Sequence, residues 1–330
     1  MKNSSPPRLL LIGQGPTAPS AFASLSARFD VAGLVRSAGP DDELVRTAVA
    51  SGTLVLPETS IAGVRQAVAE LDPDGVVVSS YDRILPADLV GSRPFVNVHY
   101  APLPGYRGRA VVNWAIINGE SHAAISVHSL EPVLDAGGIL VQRQVEIGAR
   151  DTITDLYTRL NAIQQEVLAE AVARRLDGDR GIEQNEAYAT YACTRRPADG
   201  EIDWTAATVV IDRLVRALTP PFPGAFTWLG MDRIVICSAE PRDAPTYVGR
   251  IPGRVAFVDR VSGSVDILTG DGVLRVHTVH RDDGSEVAAA SVFTSVRQTA
   301  GISISTVMAA IRSGRLVQSE GGDRPVTDRG

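Results

Sequence analysis

The sequence predicts an α/β chain in two parts, a doubly wound sheet followed by a small all-β barrel or sandwich. Three observations carry this. In the first half, short apolar runs alternate with segments of helical periodicity, the pattern of strands joined by crossover helices. A long amphipathic stretch then gives way to polar, irregular sequence. Beyond Phe226, short β-like runs recur at close spacing. A length of 330 residues leaves room for two domains of ordinary size.

Taken in order, "RLLLIGQG" is a strand ending in glycine and "PTAPSAFASLSARF" a helix. Gly13-Gln14-Gly15 lacks the third glycine of a dinucleotide fingerprint, and Pro16 and Pro19 crowd the turn, so a plain tight turn is the reading. "DVAGLVRS" is a second strand, "DDELVRTAVASG" a helix capped by Asp41 or Asp42, and "TLVLP" a third strand. "SIAGVRQAVAELD" is a helix with Ser60 as N-cap; "GVVVSS" and "RPFVNVHY" are buried strands. "AAISVHSL" and "GGILVQRQVEI" read as two strands joined by "EPVLDAGG". "DTITDLYTRLNAIQQEVLAEAVARRLDG" is a long helix capped by Asp151 or Thr152 and ended by Gly178. "TAATVVIDRLVRALT" is a further helix before Pro220, Pro221 and Pro223. The strands "RIVICSAEP", "RVAFVDR", "SVDILTG" and "VLRVHTV" come next, and residues 313–330 are expected to be a disordered tail.

Composition narrows the function. The hydrophobic fraction is 44 % and the charged fraction 21 %, which fits a globular protein with a sizeable core. A net charge of −6 offers no basic footprint for nucleic acid. Cys193 and Cys237 form no metal or redox pattern and are expected as buried thiols in a reducing compartment. The apolar run near the N-terminus is short and strand-like, which indicates neither a secretory signal nor a membrane span and points to the cytoplasm.

The chemistry gathers in "NVHYAPLPGYRGRAVVNWAIINGE", residues 97–120. Asn97 and His99, two apart at a strand end, project to the same side, where α/β sheets bind their ligands. An amide donor and an imidazole can together hold an oxygen that gains negative charge in a transition state. Asp135, in the turn "LDAGG", is the candidate for the proton acceptor, and its carboxylate is expected to raise the imidazole pKa. Asn, His and Asp with no Ser or Cys nucleophile suit direct acyl transfer, in which the substrate brings the nucleophile. Two plainer readings stand beside this: a satisfied structural histidine, and an aspartate that merely forms a turn.

The long motif, followed by "AAISVH" and "LDAGGIL", resembles the signature of the 10-formyltetrahydrofolate-dependent formyltransferases. These include methionyl-tRNA formyltransferase, the formyltransferase domain of the bifunctional aminoarabinose-modifying enzyme, and the sugar N-formyltransferases. Their pattern is Asn-x-His, a Leu-Pro-x-Tyr-Arg-Gly loop, a Trp-containing helix with Gly-Glu, a Thr-x-His strand and Leu-Asp-x-Gly. Here Ala124 replaces the usual glycine, Ser126 the threonine, and Tyr100-Ala101-Pro102 a small polar stretch. The segments "RRPADGEIDW" and "VRALTPPFPGAFT" are similar to the linker and domain start of the larger members.

The resemblance implies a Rossmann-like formyltransferase domain over residues 1–180, a linker over 181–205, and an OB-like β-barrel over 206–312. It makes Asn97, His99 and Asp135 the catalytic triad and 10-formyltetrahydrofolate the co-substrate, with no metal. The folate is expected along "SSYDRILP", at Tyr81, Arg83 and the backbone around Ile84 and Leu85, with Val133 and Leu134 also meeting the pterin. Methionyl-tRNA formyltransferases carry a basic insertion after the second strand; here "RSAGPDDELV" is short and acidic, which argues against tRNA. The expected partner is therefore a small-molecule amine, first a nucleotide-linked amino sugar, held by Tyr106, Arg107, Arg109, Arg195 and Arg196. These arginines can equally be solvated or structural ion pairs. An amino-acid or peptidyl amine, methionyl-tRNA, formate-releasing hydrolysis and a non-catalytic folate-binding module are the alternatives, and a homodimer is an open expectation.

Overall fold

The computed structural model describes residues 5–39, 41–281, 284–302 and 304–313. The chain divides into two compact units, Met1–Asp199 with Arg216–Pro223, and Gly200–Val215 with Gly224–Gly330. Apart from Ser313, the expected tail lies outside the described residues.

The first unit is built on β1 (Arg8–Gly13), β2 (Asp30–Val35), β3 (Leu54–Leu56), β4 (Gly75–Ser79), β5 (Phe95–His99), the two-residue β6 (Arg107–Gly108), β7 (His122–Ser129), β8 (Ile139–Glu146) and the two-residue β9 (Tyr191–Ala192). Seven of these form one sheet in the order β3-β2-β1-β4-β5-β7-β8, and β6 pairs with β9 apart from it. The sheet is parallel from β3 to β5, and β7 and β8 then run antiparallel. β4 is buried along its whole length and β1 beyond its first residue, as a sheet covered on both faces requires.

The covering helices are α1 (Ala18–Ser26), α2 (Glu43–Ala50), α3 (Ile61–Leu71), the short α4 (Ala87–Val90), α5 (Val111–Asn118) and α6 (Ile153–Leu176). Their starts coincide with side chains that can satisfy orphan N–H groups. Asp42, not Asp41, caps α2; Ser60 caps α3; Thr152 and Asp155 form a capping box on α6. The turn after β1 is a packing device. A Cβ on Gly13 would lie 2.6 Å from Ala18 Cβ, and one on Gly15 2.7 Å from Ser80 Cβ. Thr17 Oγ1 reaches Ser79 Oγ (2.6 Å) and Ser80 Oγ (2.8 Å), so hydroxyls tie the start of α1 to the end of β4.

The second unit opens with α7 (Thr208–Ala217), whose last two residues belong to the first unit. Its six antiparallel strands are β10 (Ala225–Leu229), β11 (Asp232–Pro241), β12 (Val255–Val258), β13 (Val265–Leu268), β14 (Val273–His280) and β15 (Glu286–Ala288). They run in the order β10-β11-β14-β13-β12, with β15 on β14. Trp204 is buried there and donates to Thr227 Oγ1 (2.9 Å), while the buried Asp266 pairs with Arg275 (2.8 Å) and Arg242. Helix α8 (Ile304–Arg312) ends the described chain. Among the described residues no helix is long and apolar enough to cross a membrane. Cys193 is exposed and Cys237 only partly buried, a correction to the expectation of two buried thiols.

Candidate active site

The site lies where the parallel part of the sheet gives way to the antiparallel part. β5 delivers Asn97 and His99 from one of its faces, and its pairing with β7 sets Asn97 opposite His128 and His99 opposite Ser126. The loop from β7 to β8 brings Asp135 beneath them in a left-handed conformation, φ 50°. His99, His128 and Asp135 are all buried.

Donor and acceptor chemistry orients every group. His128 Nδ1 donates to the Ser129 carbonyl (2.8 Å), which leaves Nε2 to accept from Asn97 Nδ2 (3.1 Å). The same Asn97 nitrogen donates to Asp135 Oδ1 (3.2 Å), so its amide turns its NH₂ edge toward both. Asp135 Oδ2 accepts from the Gly108 N–H (2.9 Å). His99 Nε2 donates to the Tyr106 carbonyl (2.8 Å), and its Nδ1 stands 3.7 Å from Asp135 Oδ2, beyond hydrogen-bond length. Gly108 must be glycine: its φ is 105° and a Cβ would lie 2.7 Å from the Ala192 carbonyl oxygen.

Burial decides the charges. It is the largest influence on His99 and pushes its pKa below the ordinary 6.5; His128 adds to the lowering, and Asp135 and the Tyr106 carbonyl do not offset it. Asp135 does raise the His99 pKa, as expected, but desolvation of the ring outweighs the carboxylate and the net shift is downward. Burial also opposes ionisation of Asp135. There, however, the charge of His99, the neighbouring His128 ring and the Gly108 N–H together hold the carboxyl well below 3.8. Near neutrality the pair is an anionic Asp135 beside an uncharged His99 whose Nδ1 lone pair is unshared.

The other expected site residues fall into three groups. Ile84, Val133 and Leu134 are large apolar side chains left exposed on two loops, one after β4 and one after β7, and Arg83 is exposed beside Ile84. Apolar edges of this kind fit a flat heteroaromatic ring. Leu85 is buried in the core with Tyr81 packed against the same cluster, and the Tyr81 hydroxyl donates to the Thr59 carbonyl (2.8 Å). Only the Leu85 backbone is therefore available to a ligand.

On the acceptor side, Arg107 needs correction. Its side chain is wholly buried, pairs with Glu186 (2.6 and 2.9 Å) and donates to Gln184 Oε1 (2.8 Å), so it is structural and cannot meet an acceptor phosphate. Arg195 lies over the Trp114 ring, 5.6 Å from its centre, and donates to the Asp199 carbonyl (2.9 Å). The Tyr106 hydroxyl is held by Glu120 (2.5 Å) and Asn118 (3.0 Å). Arg109 and Arg196 are exposed. Reasoning from sequence missed His128, the Gly108 N–H and the Tyr106 carbonyl. His128 had a signal, a histidine in a strand that continues the same motif; the two backbone groups had none.

These features define a class: an α/β protein with an Asn/His/Asp centre at its strand ends and a separate antiparallel domain behind it in sequence. The chain belongs to the formyl transferase family: residues 44–172 match the model of the formyl transferase domain and residues 195–297 that of the formyl transferase C-terminal domain. Among solved structures it is similar to HypX from Aquifex aeolicus in complex with tetrahydrofolic acid (16 % identity, TM-score 0.63), over 89 % of this chain and 48 % of that one. It is similar to a sugar N-formyltransferase from Shewanella sp. FDAARGOS_354 (21 % identity, TM-score 0.54), over 66 % of this chain and 91 % of that one. It is also similar to methionyl-tRNA formyltransferase from Clostridium thermocellum (18 % identity, TM-score 0.54), over 71 % and 94 %. At these identities the likeness is one of fold, and the chain spans about half the length of HypX.

Proposed function

We propose that this protein transfers a formyl group from 10-formyltetrahydrofolate to the primary amine of a small acceptor, a nucleotide-linked amino sugar. The observation that carries the reading is the convergence of buried His99 and Asp135, 3.7 Å apart, with the Asn97 amide donating to the same carboxylate. Family membership supports folate as the formyl source, and the exposed Ile84, Val133 and Leu134 supply an apolar edge for its ring.

The atoms dictate the steps. The acceptor nitrogen attacks the formyl carbon, and the formyl oxygen gains negative charge. One N–H of Asn97 leaves its present partner to hold that oxygen. His99 Nδ1 takes the amine proton, and Asp135 stabilises the imidazolium so formed. The bond to the folate nitrogen then breaks, and His99 returns the proton to it. Products are the N-formyl amine and tetrahydrofolate. This differs from the expectation that His99 joins Asn97 in holding the oxyanion while Asp135 accepts the proton: with its pKa lowered by burial, His99 starts as the base and is cationic only in passage.

The segment after β2 supports a small acceptor. Arg36 is tied to Asp42 (2.8 Å) and to the Gly13 carbonyl (2.9 Å), and among the described residues the segment presents no cluster of free cations for a polynucleotide. The test is mass spectrometry for a formyl adduct after incubation with 10-formyltetrahydrofolate and a panel of nucleotide-linked amino sugars, amino acids, peptides and charged tRNA. A nucleotide sugar is the expected substrate. Modification of an amino-acid or peptidyl amine alone, or of methionyl-tRNA alone, would replace the acceptor and keep the chemistry. Formate release without any acceptor would replace the reaction itself.

A further inference from the structure

Asp135 is held in a conformation it would not choose. A non-glycine residue at φ 50° is strained, and persists only where its surroundings over-determine it. The group that does so comes from residues 182–192, after α6, which bear no motif. Gln184 is buried, and its Nε2 donates to both the Asp135 carbonyl (2.8 Å) and the Gly137 carbonyl (2.8 Å). Its Oε1 accepts from Arg107 Nη2 (2.8 Å), and the Arg107 guanidinium is gripped from behind by Glu186.

This orientation admits no alternative. Backbone carbonyls only accept and a guanidinium only donates, so a flipped Gln184 amide would meet like groups at both ends. The same segment also holds the donor that faces the carboxylate. β9 pairs with β6, setting Arg107 opposite Tyr191 and Gly108 opposite Ala192, and Gly108 N–H is the group that reaches Asp135 Oδ2. Both the turn that carries Asp135 and the donor that aims it are thus fastened to one stretch of chain.

We propose that Gln184 is a positioning residue for the Asp135 carboxylate, oriented by Arg107 and Glu186. The proposal rests on the catalytic reading of Asp135. Without the two amide donors the turn relaxes toward ordinary backbone angles, and the carboxylate leaves Gly108, Asn97 and the vicinity of His99.

The experiment uses the full chain with 15N-labelled histidine. The His99 ring nitrogens report charge and tautomer, and the ionisable groups around that ring are Asp135 and His128. Wild type, Asp135→Asn, Gln184→Met and Gln184→Glu are compared, with thermal melts to show which variants fold. Methionine keeps the shape and removes the donors; glutamate sets an anion against two carbonyls. In either folded Gln184 variant the His99 shifts are expected to move toward those of Asp135→Asn. Where wild type forms the formyl amine, kcat is expected to fall about 10²-fold, the scale for a misplaced catalytic group. Wild-type His99 shifts in both folded variants, or in the one that folds, overturn the proposal. A wild-type protein that transfers no formyl group overturns the functional reading instead, and leaves the His99 shifts to judge the tether.

Discussion

At the scale of single residues the site turns on a contest between burial and charge. Loss of one oxyanion donor typically costs about 10²–10³ in rate, so Asn97→Ala is expected to lose at least that much turnover while remaining folded. His99→Ala and Asp135→Ala should fall as far; near wild-type turnover in any of the three removes that residue from the mechanism. In the proposed scheme His99 must be uncharged to take the amine proton, and burial lowers its pKa below 6.5, so the acid limb of the rate profile should lie below pH 6.5. A limb above that value would mean the carboxylate prevails after all. Stability gives a second measure. Asp135 has a lower pKa folded than unfolded, so the stabilisation it lends is complete above about 3.8 and drains as pH falls through the folded value. Acid unfolding of wild type should therefore be steeper below that pH than that of Asp135→Asn. The identities of Asn97, His99 and Asp135 were legible because i, i+2 spacing and a glycine-rich turn are local. The charge on His99 was not, because burial is a property of the packed sheet.

Secondary elements were the most legible level, and for a local reason. Asp42, Ser60 and Thr152 each stand immediately before an apolar helical period, and a cap needs only its own next three residues. The Asp135 turn obeys different rules. A Cβ on Gly137 would sit 1.8 Å from the Ser129 carbonyl oxygen, a backbone atom that cannot swing aside. Gly137→Ala is expected to push the turn off β7, lowering both the melting temperature and turnover. Unchanged activity in that variant would show that the turn has slack the close contact denies. The arginine loop is where element-level reading failed. Arg107 sits in a loop motif that invites a phosphate, yet β6 turns its side chain inward onto Glu186 and Gln184, partners 79 and 77 residues away. No local pattern foretells a partner at that distance.

For the whole molecule, ligand linkage offers the simplest check. A ligand present at about a hundredfold its dissociation constant and bound only by the folded state adds about 2.7 kcal/mol of stability. Tetrahydrofolate is expected to raise the melting temperature of wild type, and to do so far less in Ile84→Asp, whose exposed apolar edge becomes charged. An equal shift in both would move the folate away from the Ile84 loop. What the sequence by itself determined is the alternation of strands and helices, the family to which the chain belongs, and the residue types at the strand end. All of these are written in near neighbours and in one ordered motif. Only the tertiary structure decided that His128 joins the site, that Arg107 leaves the acceptor side, and that Gln184 fastens the Asp135 turn. Those outcomes depend on which residues meet across strand pairing and long loops, and on how much water their meeting excludes.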